Sequence, residues 1–259
     1  MHPILFEFGT FKVFSYGFVI MMGVVAAFTY LYAQRNRFLP NVDKISELIL
    51  LCFVSVFVGG KFFYFLEKPS YFVQNPSDFF ANLGQGFVFY GSFLFTIPAL
   101  YWWIRKNRLN VYYSSDFIAI AGSLVHGFGK VGCFMAGCCH GKQCDPSNSF
   151  GLIFNAPHTA ADPVGVPLYP VQLWDALLIL SISVFMMWYM NRKKFQGELF
   201  LIYTLIYAVG RFITENFRGD DARGFVFGGW LSHSQFIALL LITISGILYI
   251  RGWKQSKTR

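Results

Sequence analysis

FSYGFVIMMGVVAAFTYLYA, residues 14–33, runs for twenty positions without an Asp, Glu, Lys or Arg. At about 1.5 Å per residue, such a helix is about 30 Å long, which matches the hydrocarbon core of a bilayer. Six more stretches of similar length and character follow, at about 46–66, 86–104, 114–136, 172–190, 198–216 and 232–250. They predict an all-α fold: a polytopic membrane helical bundle of seven transmembrane helices, forming a single integral membrane domain over 1–259. Composition agrees. Apolar residues make up 55% of the chain, aromatics 20% and charged residues 13%, whereas soluble domains carry about 25% charge. A soluble enzyme, a disordered chain and a secreted disulfide scaffold are all excluded. The stretch 14–33 is too long for the apolar core of a signal peptide, and no small-residue cleavage site follows it.

The net charge of +8 records orientation. Arg35, Arg37, Lys44, Arg105, Lys106, Arg108, Arg192, Lys193, Lys194, Arg251, Lys254, Lys257 and Arg259 fall on one side of the spans. Lys12, Lys68, Lys142, Arg218 and Arg223 fall on the other, and Lys61, Lys130 and Arg211 lie within spans. The positive-inside rule then puts the N-terminus outside and the C-terminus in the cytoplasm. No basic run is interleaved with aromatics on a polar surface, so no nucleic-acid partner is expected. The polar stretch 137–171 reads as an extracytoplasmic loop. The aromatic stretch 67–85 reads as an interfacial segment or an aromatic belt.

Charge inside a bilayer is costly enough to mark function. Arg211 and Glu215 stand one helical turn apart, and Arg218 would continue their face at i+7. A guanidinium suits a phosphate, and a buried carboxylate could hold it in place. The bland alternative is a self-neutralising pair, with Arg218 snorkelling to the headgroups. Lys130 sits in Gly127-Phe128-Gly129-Lys130-Val131-Gly132-Cys133-Phe134, where the glycines thin the helix and admit a backbone or a headgroup. Lys61 follows Gly59-Gly60 and suits either snorkelling or a headgroup contact. Cys133, Cys138, Cys139 and Cys144 crowd beside His140 and Asp145 at the end of the fourth span. A disulfide, free functional thiols and a zinc site all remain open readings. Cys52, in mid-span, reads as packing.

With these residues in hand, the chain resembles the prolipoprotein diacylglyceryl transferase family along nearly its whole length. The matches are Tyr16-Gly17, Val58-Gly59-Gly60-Lys61, Phe89-Tyr90-Gly91, Ser115-Asp116-Phe117-Ile118-Ala119 and Gly129-Lys130-Val131-Gly132-Cys133-Phe134. They continue through Tyr169-Pro170-Val171-Gln172-Leu173-Trp174-Asp175 and Gly210-Arg211-Phe212-Ile213-Thr214-Glu215-Asn216-Phe217-Arg218, and end at Ser232-His233-Ser234-Gln235.

The resemblance implies a multi-pass enzyme of the bacterial inner membrane. It would move a diacylglyceryl group from phosphatidylglycerol to the lipobox cysteine on the signal peptide of a prolipoprotein. It also implies catalytic roles for Arg211, Glu215, Tyr16 and Tyr90, and phospholipid contacts from Lys130, Gly129, Gly132, Cys133, Arg218 and Gln172. No metal and no cofactor are implied. The chain departs from the family's usual pattern at Lys130 (Arg), Cys133 (Asn), Ala136 (Asn), Cys138 (Glu) and Tyr90 (His). Two other functions fit the same residues: a transferase of this fold with another acceptor, and a membrane thiol–disulfide redox protein using the cysteine cluster. In the transferase reading Arg211 clamps the departing phosphate, Lys130 steers the headgroup in, and the cysteines roof the cavity without acting as nucleophile.

Overall fold

The computed structural model describes residues 2–9, 11–38, 42–67, 69–74, 88–219, 224–226 and 229–258. A hairpin of β1 (Ile4–Phe8) and β2 (Phe11–Phe14) leads into α1 (Ser15–Ala33). Then come α2 (Arg35–Phe38), α3 (Val42–Glu67), α4 (Pro69–Gln74), α5 (Phe89–Lys106) and α6 (Val111–Ala136). A loop carrying the hairpin β3 (Leu152–Ile153) and β4 (Pro167–Leu168) precedes α7 (Val171–Tyr189) and α8 (Glu198–Thr214). The hairpin β5 (Phe225–Val226) and β6 (Leu231–Ser232) precedes α9 (His233–Lys257).

Each of the seven apolar stretches carries a long helix, because in lipid a lone segment can satisfy its backbone only by bonding to itself. Five are long and apolar enough to cross a membrane: Ser15–Ala33, Lys44–Glu67, Val111–Ala136, Val171–Tyr189 and His233–Lys257. The other two fall short for identifiable reasons. In α5 the apolar run is diluted by Pro98, Tyr101, Trp102 and Trp103 and ends on Arg105 and Lys106. In α8 the regular helix stops at Thr214 and tightens into a 3₁₀ turn over Glu215–Phe217. The small hairpins add β structure that an all-α reading omits; the first exposes Phe6, Phe8 and Phe14.

The chain divides into two units, Met1–Tyr30 with Ser115–Arg259, and Leu31–Ser114. In the smaller unit α3 and α5 run antiparallel and cross closely at Gly59 and Gly91, where a Cβ on either would strike the other's carbonyl oxygen. Ser92 Oγ donates to the Val56 carbonyl (2.8 Å) beside this crossing, and Phe62 meets Phe95 with ring centroids 5.7 Å apart. Lys61 is buried, its ammonium 5.7 Å from the Tyr64 ring. Of the 67–85 stretch, Pro69–Gln74 is helical and turns Phe72 inward onto Tyr64 and Phe65. Phe79 and Phe80 lie outside the described residues.

In the larger unit α7 shows how the bundle is built. It buries Gln172, Asp175 and Ser183 while exposing Leu177, Val184 and Trp188. Polar groups inside and apolar groups outside are the order that a hydrocarbon solvent imposes. Against α6 the register is antiparallel. Ser183 Oγ donates to Ser123 Oγ (2.8 Å), Gly127 gives way to Ile179 and Leu180, and Lys130 meets Asp175. Against α8, Leu178 packs on Gly210. Helix α1 lies on α6 where Gly23 admits Phe128 and Gly132 admits Tyr16.

One end of this unit is tied by the fully buried Asp116 of α6. Its carboxylate accepts from Lys193 Nζ (2.5 Å) and from the backbone N–H groups of Gly197 (2.9 Å), Leu199 (2.9 Å) and Phe200 (3.3 Å). It therefore caps the start of α8, where helical donors have no partner of their own. Next to it Glu198 accepts from the Tyr189 and Tyr249 hydroxyls (3.2 Å each). At the other end, residues 137–170 form an ordered lid with its own small core of Phe154, Ala161 and Leu168, packed by Phe134, Leu152 and Val166.

Candidate functional site

The polar seam of the larger unit starts from Asp175, which is fully buried on α7. Lys130 Nζ donates to its Oδ2 (2.7 Å), and Thr214 Oγ1 to its Oδ1 (3.1 Å). One turn from the α8 end, Arg211 ion-pairs through Nη2 with Glu215 and donates to Ser234 Oγ (3.5 Å). Glu215 Oε1 also accepts from Ser232 Oγ (2.9 Å). Ser232 is the N-cap of α9, in a capping box with Gln235, so the start of α9 is fixed by the same contact that orients Glu215. Arg211 Nη1 is buried and has no hydrogen-bond partner among the described residues. Lys130 is balanced by Asp175 and Arg211 by Glu215, so what the seam offers an anion is the spare donor of Arg211 rather than net charge.

The expected Arg211–Glu215 pair is present, but Arg218 is not on their helical face. The 3₁₀ turn intervenes, and Arg218 adopts an extended backbone (φ −80°, ψ 143°) bridged to Gly141 of the lid. The backbone is still helical at Glu215, whose side chain reaches Ser232, and turns extended only at Arg218. Lys142 N–H donates to the Phe217 carbonyl (2.8 Å) and Gly141 N–H to the Tyr169 carbonyl (2.7 Å). A side chain at Gly141 would collide with Phe217, Tyr169 and Val171. The lid is thus sewn onto the segment that carries Arg218, over an aromatic cluster of Tyr169, Trp174 and Phe217.

The cysteines take a form that the disulfide reading does not describe, since all five are free. Helix α6 ends in a left-handed C-cap turn: Gly137 has φ +83°, its N–H reaches the Phe134 carbonyl (3.2 Å), and Cys138 N–H reaches the Cys133 carbonyl (3.1 Å). In this motif the side chains of the residues corresponding to Cys133 and Cys138 meet. Cys139, also left-handed at φ +61°, brings in a third thiol, and the three sulfurs lie within 4.8 Å of one another. The Cys139 thiol is held well below the ordinary thiol range by hydrogen bonds from Cys133 and Cys138, with help from the Arg218 charge. Cys144 is apart, buried in the lid and donating to the Pro167 carbonyl (3.5 Å).

The remaining expected residues distribute as follows. Gln172 is fully buried and donates to the Cys138 carbonyl (2.9 Å), joining α7 to the thiol turn. Gly129 and Gly132 face α1, with Tyr16 against Gly132. Tyr90 is in the first turn of α5, in the other unit, and its side chain lies outside the described residues.

Reading the sequence missed Asp175 as a functional group, although a carboxylate inside an apolar run was signal enough. It also missed His126, one turn before Lys130, which shares a 2.7 Å hydrogen bond with Tyr203 and stands edge-on to Tyr207. Imidazole and phenol within apolar helices carried no spacing signal of their own.

Long apolar helices, with Lys130 and Arg211 paired to buried carboxylates between them, define a multi-pass membrane protein. The family model for prolipoprotein diacylglyceryl transferase matches residues 3–251, and the chain belongs to that family. Its relatives include phosphatidylglycerol–prolipoprotein diacylglyceryl transferase 2 of Clostridium perfringens, 37% identical over 249 residues, covering 96% of this chain and 94% of that protein. The phosphatidylglycerol–prolipoprotein diacylglyceryl transferase of Clostridium tetani is 34% identical over 245 residues, covering 94% and 95%. That of Acinetobacter baumannii is 27% identical over 256 residues, covering 93% and 89%.

Proposed function

We propose that this protein transfers the diacylglyceryl group of phosphatidylglycerol to the lipobox cysteine thiol in the signal peptide of a prolipoprotein. It would act as one integral membrane domain of seven spans in the bacterial inner membrane, with the N-terminus outside and the C-terminus in the cytoplasm. The observation that carries the reading is Arg211: a half-buried guanidinium with one face spent on Glu215 and Ser234 and one buried donor nitrogen, Nη1, unspent among the described residues.

The chemistry is an S-alkylation. The acceptor thiol gives up its proton, and its sulfur attacks the glyceryl carbon attached to the phosphate. The C–S bond forms as the C–O bond breaks, and glycerol phosphate leaves with the electron pair. Charge therefore builds on a phosphate oxygen in a site of low dielectric, where a fixed donor is worth more than in water. Arg211 clamps that oxygen. Lys130, held by Asp175, draws the headgroup towards the seam, and Glu215 keeps Arg211 in the one orientation that points Nη1 inward. Gly129 and Gly132 let a headgroup approach the α6 backbone, while Gln172 and Arg218 fix the turn above it. Tyr16 is the candidate within this unit for relaying the thiol proton; the role of Tyr90 rests on the family resemblance alone. The direct test is release of glycerol phosphate from phosphatidylglycerol, dependent on a lipobox peptide, by purified protein in nanodiscs. Expression in cells depleted of their own transferase should restore growth. Release without the peptide, or none with it, would remove this reading.

A further inference from the structure

Three thiols converge on one point directly above the cation seam, and the function just described leaves them without a chemical role. Their meeting is built into the backbone. The C-cap turn of α6 joins Cys133 to Cys138 and requires Gly137, where a Cβ would also strike Thr159. Cys139 completes the set at φ +61°, a left-handed conformation that costs a non-glycine residue energy. The carbonyl of Cys138 is anchored by buried Gln172. Sulfurs within 4.8 Å of one another need only small side-chain rotations to sit about 3.8 Å apart, the separation set by tetrahedral metal–sulfur bonds of about 2.3 Å. Arg218 is bridged to Gly141, two residues beyond Cys139, which brings a permanent positive charge to the same turn.

We infer that Cys133, Cys138 and Cys139 form a three-thiolate site for a zinc-class divalent ion, with its fourth position open to the acceptor's thiol. Bound as thiolates, the three sulfurs around a dication carry one negative charge, which Arg218 offsets. That balance favours a divalent over a monovalent ion at the edge of a bilayer, where residual charge is expensive. His140 is not the fourth ligand. Its Nδ1 is 2.8 Å from the Gly141 carbonyl oxygen and its Nε2 accepts from the Asp162 N–H (3.2 Å), so both nitrogens are committed. Three protein ligands and an open position are the arrangement of zinc that handles substrate rather than structure.

The second half of the inference rests on the transferase reading. A thiol entering the open position loses its proton to solvent and stays nucleophilic as a metal-bound thiolate. After its sulfur attacks the glyceryl carbon, the product is a thioether, a weak ligand that leaves. Cys133 lies three residues beyond Lys130 on α6, and Gln172 lies three residues before Asp175 on α7. Each step is about one helical turn, or roughly 5 Å along the axis, so a sulfur held here is beside the phosphate seam.

The test uses the full chain, reduced, stripped with chelator and kept in detergent, and titrated with cobalt(II) as a coloured stand-in for zinc. One ion per chain is expected, with a thiolate-to-cobalt charge-transfer band as strong as three sulfurs give. Cys133→Ser, Cys138→Ser and Cys139→Ser should each weaken binding at least about tenfold, the least expected for losing a direct ligand when losing an outer-shell partner already costs that much. Cys52→Ser and Cys144→Ser should leave binding unchanged. In wild-type protein, zinc should shield the three thiols from alkylation, a reading that needs no variant to fold. Adding a lipobox-cysteine peptide should raise the band by one further sulfur, and the same peptide with Ser should not. No stoichiometric band, a band surviving the triple Ser change, or no protection would overturn the metal site. A band indifferent to the peptide would overturn the open position. Failure of glycerol phosphate release in the presence of a normal band would instead sink the transferase reading.

Discussion

Replacing Asp175 with Asn, alone and together with Lys130→Met, tests whether the seam is held by the pair at its centre. Asp175 is fully buried and Lys130 Nζ sits 2.7 Å from its Oδ2, with the lysine side chain 15% exposed. Point charges at that separation attract by about 6 kcal/mol at an effective dielectric near 20. Breaking a buried pair from one side costs about 3–5 kcal/mol, because the survivor stays desolvated. Lys130 retains some access to solvent, which places Asp175→Asn near the lower end, about 3 kcal/mol. Thr214 keeps a partner, since an amide oxygen still accepts its hydroxyl. The double variant removes both charges, so it should be more stable than Asp175→Asn alone, with a coupling energy of about 2–3 kcal/mol. Unfolding in mixed micelles, followed by tryptophan fluorescence across the four members of the cycle, gives the number. Additivity of the single changes to within about 0.5 kcal/mol would refute the idea that this contact holds the seam together.

Other changes probe the site from different sides. Arg211→Lys keeps a charge and loses the fixed fork, and glycerol phosphate release should fall about a hundredfold, the scale for one preorganised donor, with phosphatidylglycerol binding little altered. Lys130→Arg should be tolerated in the same assay, because the Asp175 carboxylate can accept a guanidinium in two-point fashion; an inactive variant would mean that Lys130 acts through its own proton. Gly137→Ala puts a side chain at φ +83° against Thr159 and should lower the melting midpoint by at least the equivalent of about 1 kcal/mol. An unchanged midpoint would show that the turn ending α6 is not under this constraint. A fluorescent protein fused after Arg259 should fluoresce and alkaline phosphatase fused there should be inactive; the opposite pattern would invert the membrane orientation.

The helices were legible because lipid makes length and apolarity sufficient evidence: each of the seven stretches carries one. The end of α8 was not legible, since nothing in Thr214-Glu215-Asn216 announces the 3₁₀ turn or the contact of Glu215 with Ser232, seventeen residues on. The extended backbone at Arg218, bridged to Gly141, takes that residue off its expected face. Arg211 with Glu215 could be read because the pairing is local, one turn along one helix. Lys130 with Asp175 could not, being a contact between helices 45 residues apart. The cysteine cluster was visible as a crowd but not as a geometry. Whether sulfurs separated by five residues bridge, diverge or converge depends on the handedness of the Gly137 turn.

The Asp116 carboxylate receives the α8 backbone across 81–84 residues of intervening chain. Because synthesis runs from the N-terminus, the acceptor is made and inserted long before its donors emerge. Until Gly197 and Leu199 arrive, a buried carboxylate waits with unspent lone pairs, and α6 and α7 cannot reach their final depth of burial at no cost. Completing α8 discharges that debt in one event, just as Arg211 and Glu215 at the far end of the same helix come into place. A chain that stops before residue 197 lacks the backbone donors that satisfy Asp116.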